Sequence, residues 1–209
     1  MGTIEINHVS KTINNSQILS NISCKFESGN IYGLIGRNGS GKTMLMRVIC
    51  GLALPTEGEI LIDGKKLGRD MEMPSSIGAI IETPGFLLEK SGLQNLRYLA
   101  ALRNVICEDE IKRAMIACGL DPADKKHVRK YSLGMRQRLG IAQAIMENPD
   151  ILILDEPMNG LDNQGVEDIK QLLKNLRRQN KIIIIASHHM EDISELCDVV
   201  YSMDNGQLS

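Results

Sequence analysis

Gly36-Arg37-Asn38-Gly39-Ser40-Gly41-Lys42-Thr43 decides how the rest of the chain is read. The octet follows a short apolar run, Asn30 to Gly36, and leads into Lys42 to Cys50, a stretch of helix-forming and mostly apolar side chains. Gly51 then stands where a helix would stop. A glycine-rich turn between a strand and a helix lets successive backbone N–H groups curl around an anion, because no Cβ stands in the way. The helix N-terminus adds partial positive charge. Gly36, Arg37, Asn38, Gly39, Ser40 and Gly41 therefore read as a phosphate cradle. Lys42 is placed to neutralise β and γ phosphates, and the Thr43 hydroxyl to ligate Mg²⁺. A flexible glycine loop that happens to hold Lys-Thr would leave the flanking strand and helix unexplained.

Downstream, Ile151-Leu152-Ile153-Leu154-Asp155-Glu156 is four apolar residues followed by two acids. The apolar run reads as a buried strand, and the acids emerge at its C-terminal end, beside the phosphate loop on a neighbouring strand. A hard dication takes oxygen ligands, so Asp155 suits Mg²⁺ through water. Glu156 would then polarise an attacking water. Standing alone, the pair would be a solvated Asp-Glu opening a turn before Pro157. The glycine loop upstream favours the chemical reading.

Around these two motifs the chain changes texture twice. Ile4 and Ile6, then Ile22, Cys24 and Phe26, alternate with polar residues as half-buried antiparallel strands do. Glu59 to Ile62 is a further strand closed by the turn pair Asp63-Gly64, and Ile77 to Ile81 another. Ser91 to Arg103, Glu108 to Cys118 and Ser132 to Glu147 carry apolar residues at helical spacing: Leu93, Leu96, Leu99 and Ala100, then Ile111, Met115 and Cys118. From Ile151 strand and helix alternate again: a helix from Asn163 to Gln179, a strand at Ile182 to Ala186, a short helix at Met190 to Leu196 and a strand at Val199 to Met203. Short continuous apolar strands between helices mean a parallel sheet covered on both faces.

Composition removes several classes of function. Net charge is -2 and aromatic residues are 3%, with no Trp, so neither a basic field nor a stacking platform for nucleic acid is present. The five cysteines are scattered, with no CxxC pair and no zinc spacing, and read as reduced thiols of a cytoplasmic protein. The N-terminal residues lack the pattern of a signal peptide. Ile182 to Ala186 is far shorter than the roughly 20 residues that cross a bilayer, so service to a membrane requires docking on another protein.

Tyr131-Ser132-Leu133-Gly134-Met135-Arg136-Gln137-Arg138 opens a helix, and its Ser132 lies 23 residues before Asp155. It resembles the signature of ABC transporter ATPases, LSGGQ followed by a basic, Gln-containing helix. In order and spacing the whole chain resembles an ATP-binding subunit of that family. Asn159-Gly160-Leu161-Asp162 is similar to the family's D-loop, where Asp162 would couple two sites of a dimer, and Ala186-Ser187-His188 to its switch strand, where His188 would reach the γ-phosphate. His189 has no matching role and reads as a surface histidine. The resemblance implies a P-loop NTPase (RecA-like) α/β fold: a parallel-sheet core with an antiparallel β subdomain and an inserted all-helical subdomain. Residues 1–84 and 149–209 would form the catalytic core and 85–148 the helical part of a single domain. It also implies ATP and Mg²⁺ as cofactors, Lys42, Glu156 and His188 as catalytic residues, and a head-to-tail dimer in which Ser132 and Gly134 touch the γ-phosphate held by the opposite subunit. The expected partners are a second ATPase subunit, a homodimer, and a separate transmembrane permease. No nucleic acid is expected, and the protein would sit in the cytoplasm on the inner face of the membrane. A serine and a glycine at a helix start also make an anion site on physical grounds alone.

Three positions depart from the family pattern. Glu82, in Ile80-Ile81-Glu82-Thr83-Pro84, stands where the family usually has Gln, in a loop that senses Mg²⁺ and leads into the helical subdomain. Its charge would bind the metal more strongly, or repel phosphates when metal is absent. Glutamate here resembles ATPases that export antimicrobial peptides, including those giving producers immunity to lantibiotics, which points to export of a peptide or drug-like cargo. Leu133 stands where a signature glycine is usual. Ile13 stands where an aromatic residue usually stacks on adenine, and it would pack on the base without a polarised ring contact.

Two other functions share the glycine loop. A soluble ABC-type ATPase could act on DNA, ribosomes or iron–sulfur assembly. Against it stand the absence of a heptad run between Thr43 and Ser132, the single ATPase unit and the charge balance. A P-loop kinase would leave Ser132 to Arg138 and Asn159 to Asp162 without purpose.

Overall fold

The computed structural model describes residues 2–188 and 190–209; His189, read above as a surface histidine, lies outside them. The chain runs through β1 (Thr3–Ile13), β2 (Ser16–Glu27), β3 (Asn30–Ile35), α1 (Lys42–Ile49), β4 (Glu57–Ile62), a two-residue β5 (Lys65–Lys66) and β6 (Ile77–Ile80). Three helices follow: α2 (Gly92–Arg103), α3 (Glu108–Ala117) and α4 (Leu133–Ile145). Then come β7 (Ile151–Asp155), α5 (Asn163–Arg177), β8 (Ile182–Ser187), α6 (Met190–Leu196), β9 (Val199–Asp204) and β10 (Gln207–Leu208).

Four consecutive isoleucines show how the core is assembled. Ile182 to Ile185 lie in β8, every residue of which is buried. Successive side chains on a strand point to opposite faces, so an unbroken apolar run requires cover on both. Ile182, Ile184 and Ala186 join Leu45, Met46 and Ile49 of α1 and Ile4, Ile6 and Phe26 of the N-terminal strands. Ile183 and Ile185 join Leu96, Met115, Leu139 and Leu173 of the helices beneath. Burying each such side chain contributes about 1.5–3 kcal/mol.

The main sheet has the spatial order β10-β9-β3-β8-β7-β6. Its five long members are parallel, and β10 folds back antiparallel on β9. A second, antiparallel sheet has the order β2-β1-β4-β5. Two-residue turns close its hairpins, with Asn14-Asn15 joining β1 to β2 and Asp63-Gly64 joining β4 to β5; all four residues have positive φ, as a type I′ turn demands. One sequence reading needs correction: β7 was expected beside β3, yet β8 stands between them. The crossover through α5 returns β8 into that slot, so the loop after β3 and the acids after β7 are two strand spacings apart, about 10 Å. Helix α1 bridges the gap. Ligands of open parallel sheets gather at the carboxyl ends of the strands, and β3, β7 and β8 all end at the same side.

Candidate functional site

The loop after β3 is shaped by its neighbours. Gly36 has φ 153, and a Cβ there would lie 2.2 Å from the carbonyl oxygen of Met203 on β9, so no larger residue fits. At Gly39 (φ 81) the space beyond the backbone is open, which leaves the amides approachable. Helix α1 starts at Gly41 without a side-chain cap, so its first N–H groups offer themselves to an anion. The Ser40 hydroxyl is buried with no hydrogen-bond partner among the described residues. Lys42 is also buried; its Nζ donates to the carbonyls of Gly36 (2.6 Å) and Arg37 (3.1 Å) and is held at the centre of the loop. An orphaned hydroxyl, an uncapped helix start and a caged ammonium fit a phosphate chain.

Thr43 closes the distance to β7. Its hydroxyl donates to Oδ2 of Asp155 at 2.9 Å, 112 residues away in sequence. Burial pushes the Asp155 carboxyl above its ordinary range, and the neighbouring charge of Glu156 adds to this. The Thr43 hydroxyl, Lys42 and the backbone N–H of Glu82 pull the other way. A hydroxyl and a half-buried carboxylate side by side are the oxygen donors a small dication takes, so the residues fit Mg²⁺.

Glu156 is fixed from several sides in a left-handed conformation (φ 49). Its N–H donates to Ala186 O at 2.9 Å, and its own carbonyl accepts from Gln137 Nε2 of α4 at 3.0 Å. The carboxylate meets His188 Nδ1 at 2.8 Å through Oε1, and Ser187 Oγ donates to Oε2 at 3.4 Å. The ends of β7 and β8 thus present one cluster.

Other expected residues fall in different places. The Glu82 carboxylate, in a residue of φ 63, pairs with Arg47 of α1 at 2.8 Å. Ser132 caps α4 by accepting from the Met135 N–H at 3.1 Å, and Asp162 caps α5 by accepting from the Gly165 N–H at 2.9 Å. Gly134 faces the D-loop, where a Cβ would come 2.8 Å from Gly160 O. A cleft of about 680 Å³ joins the loop, Glu82, Asp155 and Glu156, and Leu133, Arg136 and Asn159 also line it. Ser132 and Asp162 do not line this cleft, and neither does Ile13, which ends β1 opposite Ser16 and is 40% exposed. Ile18 stands at the loop instead, its carbonyl 3.0 Å from where a Cβ of Gly41 would be. Sequence reasoning missed Ile18, Arg47 and Gln137. Arg47 was within reach, since it lies four residues after Thr43 and so on the same face of α1.

A family model described as ABC transporter matches residues 19–159, which contain the loop, Ser132 and Asp155. The chain belongs to the ABC transporter family. It is an ATP-binding subunit that hydrolyses ATP, and such subunits act through a membrane partner. This ATPase is 45% identical over 205 residues to the uncharacterized ABC transporter ATP-binding protein YybJ of Bacillus subtilis (strain 168), covering 98% of this chain and 94% of the relative. It is 40% identical over 207 residues to the bacitracin transport ATP-binding protein BcrA of Enterococcus faecalis, covering 98% of this chain and 67% of the relative. Its fold matches a solved dimeric bacterial ABC transporter cassette with a TM-score of 0.88 at 23% identity, over 99% of this chain and 96% of that one. Among the described residues of the ATPase, no helix is long and apolar enough to cross a membrane.

Proposed function

We propose that this ATPase pairs head to tail with a second copy of itself and drives a separate permease that exports a peptide or drug-like cargo from the cytoplasmic face of the membrane. One observation carries the pairing: Ser132 stands at the N-terminus of α4, where the helix favours an anion, yet does not line its own chain's phosphate cleft. A second copy supplies the phosphate it lacks. In this arrangement Lys42 and the amides of Gly39 to Thr43 hold the triphosphate, while Ser132 and Gly134 of the opposite copy close on the γ end. Thr43 and Asp155, with Glu82 near by, would hold Mg²⁺, which supplies charge neutralisation to the phosphates. Glu156 accepts the proton of the attacking water at a carboxylate oxygen, and His188 orients that carboxylate. Positioning and electrostatics then account for most of the rate. Asp162, at the start of α5, links one site to the other. Residues 85–148, with α2, α3 and α4, form the helical part that passes motion to the permease. The peptide cargo is supported by Glu82 and by the relative named for bacitracin transport.

The test is Glu156→Gln. It should retain ATP, lose turnover, and accumulate a dimer that size exclusion resolves only when ATP is present. Turnover near the unmutated rate would assign the proton to another group, and a monomer under saturating ATP would remove the sandwich.

A further inference from the structure

Glu82 places a carboxylate beside a site built for a triphosphate, and the structure shows what answers it. Arg47 reaches across from α1 and donates to Oε1 of Glu82 at 2.8 Å. Both residues line the cleft that holds Lys42, Thr43 and Asp155. Asp155 lines the same cleft, and the nearby backbone N–H of Glu82 lowers its carboxyl pKa. One residue thus lines the cleft with the carboxylate read as a metal ligand and is tied at its side chain to a cation of the loop's own helix. A glutamine at this position could accept the same hydrogen bond but would bring no charge.

The strength of the pair is as informative as its position. The Arg47 side chain is 40% exposed and that of Glu82 is 61% exposed, so solvent screens them and the pair exchanges partners easily. A buried pair would lock the loop.

We propose that Arg47 is the counter-ion of Glu82, neutralising it until a divalent cation arrives with the nucleotide, when Glu82 exchanges the guanidinium for the metal. Arg47 is then a positioning residue that regulates the phosphate site through Glu82. The proposal rests on the reading of Thr43 and Asp155 as the metal site. It yields a specific asymmetry. Without metal, removing Arg47 leaves Glu82 facing the phosphates unscreened, and ATP binding suffers twice, through the lost positive charge and the exposed negative one. With metal, only the first loss remains.

The experiment is an equilibrium titration with a fluorescent ATP analogue, in EDTA and in excess Mg²⁺, of the unmutated protein, R47M, E82Q, the double variant and R47K. In EDTA, R47M should weaken binding at least about three-fold more beside Glu82 than in the E82Q background, a coupling within the range of an exposed pair. In Mg²⁺ the two losses should coincide. E82Q alone should tighten metal-free binding, and R47K, which keeps the charge, should stay close to the unmutated affinity. Equal losses in EDTA, or a coupling unchanged by Mg²⁺, would overturn the exchange. If R47M fails to fold by circular dichroism, E82Q and R47K still decide: metal-free affinity unmoved by E82Q overturns the proposal. Failure of the underlying site looks different, since Thr43→Val would then show the same gain in analogue binding on adding Mg²⁺ as the unmutated protein.

Discussion

Nδ1 of His188 stands 2.8 Å from Oε1 of Glu156, joining the residue that follows β8 to the one that follows β7. The two strands are in parallel register, with Asp155 opposite Ala186, so their C-terminal ends deliver both side chains to one point. Glu156 is also held through its backbone by Ala186 and Gln137, so the histidine adjusts the carboxylate and not the chain. His188→Ala should therefore leave ATP affinity within about two-fold while lowering turnover by about 100-fold, the lower end of what positioned proton transfer contributes. Phosphate release under saturating ATP, paired with equilibrium nucleotide binding, separates the two effects. A matching loss of affinity would assign His188 to binding.

The hydrogen bond from Thr43 to Asp155 links α1 to the end of β7, and it holds a half-buried carboxylate. Thr43→Val keeps the shape and removes the donor. It should destabilise the nucleotide-free protein by about 1–2 kcal/mol, measured by urea unfolding, and raise the Mg²⁺ concentration needed for half-maximal ATP hydrolysis. Thr43→Ser should be close to unmutated in both. A Thr43→Val protein with ordinary magnesium dependence would take Thr43 out of the metal site.

Much of this site was legible because its residues are local or end a strong apolar run. The octet from Gly36 to Thr43 carries its own geometry, and Ile151 to Leu154 can only be a buried strand, which places Asp155 at its end. What could not be read was lateral order. Nothing in the apolar pattern says that β8 inserts between β3 and β7, because that slot is filled by a crossover through α5 and fixed by packing on both faces. The pairing of Glu82 with Arg47 was hidden for the same reason, since 35 residues separate them. Asn14-Asn15 is a different case. Two asparagines between two strands are a turn signal in themselves, and with them the boundary of β1 and β2 could have been set from sequence.

Four of the five thiols sit where burial pushes their pKa up to about 12: Cys24, Cys50, Cys118 and Cys197. The thiolate is the reactive form, so at pH 8 these four are almost wholly protonated and shielded. Cys107, at the start of α3, is exposed. A chromogenic disulfide reagent at pH 8 should titrate one thiol quickly and the remaining four only after denaturant is added. Labelling of the four should grow as pH rises toward 12, because the thiolate fraction increases tenfold per unit below the pKa. Two or more fast thiols at pH 8 would contradict the packing around α1, α4 and β3.

Leu133 occupies the signature position where a glycine is usual, and the structure gives it a local partner. Gly160 of the D-loop has φ 76, and a Cβ there would lie 2.5 Å from both Cγ and Cδ2 of Leu133. The signature loop and the D-loop are therefore fitted to each other within one chain. Gly160→Ala meets two penalties: a left-handed backbone that costs an L-residue about 1–2 kcal/mol, and collision with Leu133. Leu133→Gly should be mild alone, because the side chain is 60% exposed. Combined with Gly160→Ala it should recover the collision part and leave the backbone part, so the double variant is more stable than Gly160→Ala alone in urea unfolding. Additive losses would mean that Leu133 swings away at no cost, and that the bulk at this signature position does not set the conformation of the D-loop.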